Sequence, residues 1–121
     1  RGSTLIDDTY NANPDSTKKA IDLLSMYKKN TILILGDMLE LGRYRRKFHK
    51  EIGIYAKAKG INKLLCFGEL TKETIVSYGK KGIFFDKEKD LKSYLKENIS
   101  SKDVILIKGS RGMKMERFIN V

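Results

Sequence analysis

A three-layer α/β domain on a mainly parallel sheet of about five strands is predicted by three features of the chain. Five short apolar runs rich in Ile, Leu, Val and Phe recur along its 121 residues. Segments with helical spacing of apolar residues separate them, the alternation expected of βαβ units. Two of the runs, Ile32-Leu33-Ile34-Leu35 and Val104-Ile105-Leu106-Ile107, are apolar without alternation, as central parallel strands covered on both faces require.

The first strand is expected over residues 4 to 6. Asn13 is a good N-cap and Pro14 a good first helical residue, so a helix should follow from 14 to 27, with Ala20, Ile21, Leu24 and Tyr27 on its apolar stripe. A strand over 31 to 35 leads to a helix over 44 to 59, which turns Phe48, Ile52, Tyr55 and Ala56 inward; Gly60 supplies a left-handed stop. Strands over 63 to 67 and 82 to 85 bracket a helix over 71 to 78. A helix over 87 to 98 buries Leu91, Tyr94 and Leu95 before the last strand, 104 to 107. A short helix from about Met113 carries Met115, Phe118 and Ile119, read as core. No repeat, low-complexity tract or linker interrupts the pattern, so residues 1 to 121 form one domain. The order of strands in the sheet is not legible at this level.

Composition narrows the function classes. The formal net charge is +10, from 25 Lys and Arg against 15 Asp and Glu. The lysines are spread over nearly every predicted helix, and only residues 43 to 47 form a dense basic cluster. With no zinc-finger spacing and no aromatic RNA-binding strand, a nucleic-acid partner is not expected. No apolar run approaches the roughly 20 residues of a membrane span. The single cysteine, Cys66, lies inside a predicted strand; it excludes an internal disulfide and fits the reducing cytoplasm. The chain has no initiator Met and enters its first strand within a few residues, which points to a piece of a longer protein.

In sheets of this type, ligands bind beyond the carboxyl ends of the strands. Three strand ends carry suggestive chemistry. After the first comes Asp7-Asp8-Thr9-Tyr10-Asn11-Ala12-Asn13-Pro14, with carboxylates, an aromatic ring and amides beside a helix N-terminus suited to an anion. After the second comes Gly36-Asp37-Met38-Leu39-Glu40-Leu41-Gly42, where Gly36 permits close backbone approach and Asp37 and Glu40 offer carboxylates for an ammonium group or cation. After the fifth comes Lys108-Gly109-Ser110-Arg111-Gly112, a set suited to a carboxylate or phosphate. Phe67-Gly68-Glu69 and Phe85-Asp86-Lys87 read as ordinary turns. His49 reads as a surface or packing residue away from any strand end. Neither Gly-x-Gly-x-x-Gly nor a P-loop is present, so the chain alone binds no dinucleotide in the usual way and runs no ATP-driven reaction.

Together, the segment 7 to 14, the loop Leu35-Gly36-Asp37-Met38-Leu39-Glu40-Leu41-Gly42 with His49 and Gly53 after it, and Ile107-Lys108-Gly109-Ser110-Arg111 resemble, in the same order, the C-terminal domain of the bacterial Mur ligases. The second loop is of the MurF type. The resemblance implies a Rossmann-like domain without dinucleotide binding, taken from a three-domain cytoplasmic enzyme of peptidoglycan synthesis. Its absent N-terminal and central domains would bind the UDP-sugar peptide and supply the P-loop and most magnesium ligands. The implied partners are ATP with Mg2+, UDP-N-acetylmuramoyl-tripeptide and D-alanyl-D-alanine, joined through an acyl phosphate. Asp8, Tyr10, Asn11 and Asn13 match the family's nucleotide-facing segment, although a His that sister ligases carry there is replaced by Asn11, Ala12 or Asn13. Asp37, Glu40, Lys108, Ser110 and Arg111 would face the dipeptide or the transferred phosphate. No residue of this domain is a catalytic candidate or a metal ligand. The alternative is a stand-alone α/β module that binds a nucleotide or amino acid without catalysis.

Overall fold

The computed structural model describes residues 3 to 120. The elements run β1 (Thr4–Asp8), α1 (Pro14–Ser25), β2 (Asn30–Gly36), α2 (Arg45–Ala58), β3 (Lys63–Phe67), α3 (Thr71–Tyr78), β4 (Gly82–Phe85), α4 (Glu88–Asn98) and β5 (Asp103–Lys108). Short 3-10 turns occupy Gly42–Tyr44, Arg111–Met113 and Met115–Phe118. The five strands form one parallel sheet in the order β1-β5-β2-β3-β4.

The topology follows from crossover handedness. The chain steps from β1 over to β2, β3 and β4 in one direction and returns from β4 to β5 in the other. Right-handed crossovers then put the helices of the two directions on opposite faces. Ala20, Ile21 and Leu24 of α1, with Ile52 and Ala56 of α2, pack in one cluster with Leu33, Leu35, Leu64 and Leu106. On the other face Leu91 and Leu95 of α4, with Met115 and Phe118 of the C-terminal turns, pack on Ile32, Ile34, Leu65, Ile105 and Ile107. Successive residues of Ile32–Leu35 and Val104–Ile107 alternate between the two clusters, which is why those central runs carry no polar positions.

Several elements differ from the sequence expectation. β1 runs on to Asp8, because Asp7 and Asp8 pair with Ile107 and Lys108 of β5; sheet pairing overrides the polar composition of that end. Helix α1 stops at Ser25, and Tyr27, expected on the stripe, is exposed. A 3-10 turn over Gly42–Tyr44 precedes α2, which begins at Arg45. In place of a last helix there are two 3-10 turns, separated by Lys114 with φ 51°. Met115 and Phe118 are buried in the core as expected, and Gly60 has φ 78° after α2. Arg117 fixes this segment to α4, donating to Glu88 Oε1 at 2.9 Å and to Met113 O at 2.7 Å.

A candidate ligand site at three adjacent strand ends

The three loops singled out from sequence follow β1, β5 and β2, which are neighbours in the sheet. β1 and β2 feed helices on one face, whereas β5 feeds the C-terminal turns on the other. The connections therefore part around the end of β5, the point at which open α/β sheets form a ligand crevice. Asp8 and Leu35 both stand in register with Lys108.

Two side chains from β5 and its loop tie the site together. Lys108 is only 3% exposed, and a buried ammonium demands partners. Its Nζ lies 3.0 Å from Asp8 Oδ2 and donates to the Asn11 carbonyl at 2.9 Å. Ser110, also buried, accepts the Leu39 N–H at Oγ (2.7 Å) and donates to the Ala12 carbonyl (3.3 Å). Its own N–H donates to the Asp37 carbonyl at 3.0 Å. One cation and one hydroxyl thus fasten the loops after β1 and β2 to the end of β5. Gly36 and Gly109 make room below them: a Cβ would stand 2.6 Å from Met115 Sδ at Gly36 and 2.5 Å from Met115 Cγ at Gly109. The close approach that Gly36 permits is therefore made by the chain's own C-terminal segment.

The loop after β2 is held from the other side. Asp37 is 7% exposed, and its Oδ1 accepts the Thr71 N–H at the start of α3 (3.1 Å). Burial pushes its carboxyl above the ordinary carboxylate value against that hydrogen bond and the nearby His49. The Gly68 turn, expected to be ordinary, is the seat of this carboxylate: a Cβ there would lie 2.5 Å from Asp37 Oδ1. His49 is buried and reaches the end of β2, contrary to its expected remoteness. Its Nε2 lies 3.0 Å from the Met38 nitrogen and its Nδ1 2.7 Å from the Arg45 carbonyl. The signal was present in the spacing, because His49, Ile52, Gly53 and Ala56 form the buried stripe of α2.

The remaining candidates face outward. Tyr10 is 77% exposed, with the Arg111 guanidinium 5.8 Å from its ring centre. Glu40 is exposed at a loop tip with φ 63°. Asn11 accepts the Ala12 N–H at Oδ1 (2.8 Å), and Asn13 forms a capping box with Ser16 on α1. The site thus divides into an inner set, Asp37, Lys108 and Ser110, engaged with the protein, and an outer set, Tyr10, Glu40 and Arg111, exposed at the surface, where Arg111 lies 3.7 Å from Glu116 Oε2. Among the described residues no group of three or more His, Cys, Asp or Glu is placed to hold a metal. A hollow of about 200 Å³ beneath α4 is lined by Leu5, Ile105, Ile107 and Phe118 among others, with Ser3 beside them, and among the described residues it has no charged side chain to hold a zwitterion.

Comparison with known proteins agrees with this fold. The family model described as Mur ligase, glutamate ligase domain, matches residues 1–111. The UDP-N-acetylmuramoyl-tripeptide:D-alanyl-D-alanine ligase of Bacillus subtilis (strain 168) is 40% identical over 126 residues, covering 98% of this chain and 27% of that protein. The enzyme of the same name from Escherichia coli (strain K12) is 37% identical over 117 residues, 95% of this chain and 26% of that protein. Among solved structures, MurF ligase from Thermotoga maritima in complex with ADP superposes with a TM-score of 0.86 at 27% identity, covering 98% of this chain and 27% of that one. The chain thus spans about a quarter of the length of the relatives it matches.

Proposed function

Because the chain belongs to the Mur ligase family through its C-terminal domain, we propose that it serves in an ATP-dependent ligase that joins D-alanyl-D-alanine to UDP-N-acetylmuramoyl-tripeptide. The observation that carries this reading is the clasped set of loops at the ends of β1, β5 and β2, together with relatives that bear that enzyme's name. The residues before this domain would supply the UDP-sugar pocket and the ATP-cleaving centre with its Mg2+, so the domain by itself is inactive. The enzyme works in the cytoplasm, where its nucleotide substrates are made.

In this reading Asp8, Tyr10, Asn11 and Asn13 face the nucleotide. Tyr10 offers an exposed ring for stacking, and its Arg111 neighbour brings positive charge beside the phosphates. Glu40 meets the dipeptide ammonium and Arg111 its carboxylate or the transferred phosphate. Asp37, Lys108 and Ser110 act from below, by fixing the loops that present those groups. Phosphoryl transfer from ATP to the peptide carboxylate gives an acyl phosphate and ADP; the dipeptide amine then attacks its carbonyl, and the amide forms as inorganic phosphate and a proton leave. Closure of this domain on the rest of the enzyme excludes water from that intermediate and brings amine and carbonyl together.

A ligation assay on the full-length protein tests the reading. Phosphate release from ATP that requires both UDP-N-acetylmuramoyl-tripeptide and D-alanyl-D-alanine is the expected result. Release that ignores the dipeptide, or that is driven equally by another amino acid, contradicts it.

A further inference from the structure

His49 is the only histidine in the chain, it is buried, and it sits against the loop after β2. Both of its nitrogens face obligate partners. The Met38 N–H can only donate, so Nε2, at 3.0 Å, must be the acceptor. The Arg45 carbonyl can only accept, so Nδ1, at 2.7 Å, must carry the proton. The surroundings therefore select one neutral tautomer. An added proton at Nε2 would point at another donor and break the Met38 contact. That contact is next to others that shape the loop: Leu39 N–H to Ser110 Oγ, Ser110 N–H to the Asp37 carbonyl, Thr71 N–H to Asp37 Oδ1 and the Thr17 hydroxyl on Met38 Sδ. Glu40, in a left-handed conformation with φ 63°, follows directly after the anchored pair Met38 and Leu39.

We propose that His49 is a positioning residue for the amino-acid-binding loop: its neutral Nδ1–H tautomer fixes Met38 and thereby the placement of Glu40, and protonation of the imidazole releases the loop. The role presupposes the ligase reading above, in which Glu40 meets the dipeptide ammonium.

The charges around the ring are few. Asp37 faces it from the end of β2 and Glu73 from α3, and both favour the imidazolium. Glu73 is itself paired with Arg46 at 3.2 Å. Burial, the largest influence, acts the other way and brings the imidazole below its ordinary value of 6.5. The loop is therefore anchored at neutral pH and released only on the acid side.

Two measurements test this. In the labelled chain the single imidazole needs no assignment. Its nitrogen shifts should report the Nδ1–H tautomer at neutral pH, and the Met38 and Leu39 amide signals should move with its titration. An Nε2–H tautomer, or a Met38 amide that ignores the titration, overturns the proposal. In the full-length ligase, His49→Ala should raise KM for D-alanyl-D-alanine about tenfold, the size set by one lost buried hydrogen bond, with KM for ATP nearly unchanged. His49→Gln, whose amide oxygen can accept the Met38 N–H but cannot titrate, should recover most of that KM and lose the acid limb of the pH profile. An equal rise in both KM values, or an acid limb that survives in His49→Gln, rejects the role. A full-length protein without ligase activity would sink the functional reading, while the tautomer and amide shifts would still decide the anchoring.

Discussion

The ends of β1, β5 and β2 and the ends of β3 and β4 lie on the same edge of one sheet, yet they are built differently. At β3 the turn is closed largely on itself: Thr71 donates through its hydroxyl to the Gly68 carbonyl three residues earlier, and shares its N–H between that carbonyl and Asp37 Oδ1. At the first three strands the bonds are long-range. Lys108 reaches Asp8 and Asn11, and Ser110 reaches Leu39 and Ala12, across 71 to 100 residues of chain. A turn closed on itself offers little to a ligand. Loops closed on one another hold a fixed floor from which Tyr10, Glu40 and Arg111 project, the preorganisation that binding requires.

The sharpest way to separate the two regions is to damage one and watch the other. Gly53→Ala on α2 would drive a Cβ to 2.0 Å from Ser77 Oγ and 2.3 Å from the Thr74 carbonyl. Because backbone must yield, we expect a loss of about 3 kcal/mol in unfolding free energy by denaturant titration. A loss below 1 kcal/mol would show that α2 and α3 slide freely.

Lys108→Met tests the clasp itself. It removes two charge-assisted bonds but leaves Asp8, whose side chain is 41% exposed, able to take water. The expected loss is about 2 kcal/mol. Affinity for nucleotide should fall with it in the full-length enzyme, since Asp8 and Asn11 lose their common tether. Stability lost without any change in binding would make the clasp a matter of folding only.

Asp37 gives a pH signature. Its folded pKa is raised by burial, so its contribution to stability is full below the ordinary value of 3.8 and is lost as pH rises through the folded value. The unfolding free energy of the wild type minus that of Asp37→Asn should therefore fall as pH increases above 3.8. A flat difference would mean that the carboxylate is better solvated than its seat against Gly68 implies. The smallest structural effect belongs to the outer set: Glu40→Ala, at an exposed tip, should change stability by no more than about 0.5 kcal/mol while raising KM for the dipeptide.

Much of the fold was legible because a buried parallel strand needs an unbroken apolar run, and Ile32 to Leu35 and Val104 to Ile107 supply it. The ends of elements were less so, as β1 shows: Asp7 and Asp8 look like loop residues until β5 is beside them. The grouping of three loops was also visible, since their residue types are unusual for turns. The division of labour within them was not. Asp37 and Lys108 look as available as Glu40 and Arg111, and only the positions of Thr71, Gly68 and Asp8 in space show that they are already engaged. His49 was missed as a loop anchor because a histidine on a helix stripe gives no hint of which backbone N–H it will meet.

The most direct test of the account is a crystal structure of the full-length protein with a non-hydrolysable ATP analogue and D-alanyl-D-alanine. The account predicts the dipeptide ammonium within hydrogen-bonding reach of Glu40, the nucleotide against Tyr10, and the Lys108–Asp8 and Ser110–Leu39 contacts unbroken beneath them. A dipeptide seated at the ends of β3 and β4, or a clasp that opens to let Lys108 bind the ligand directly, would contradict it.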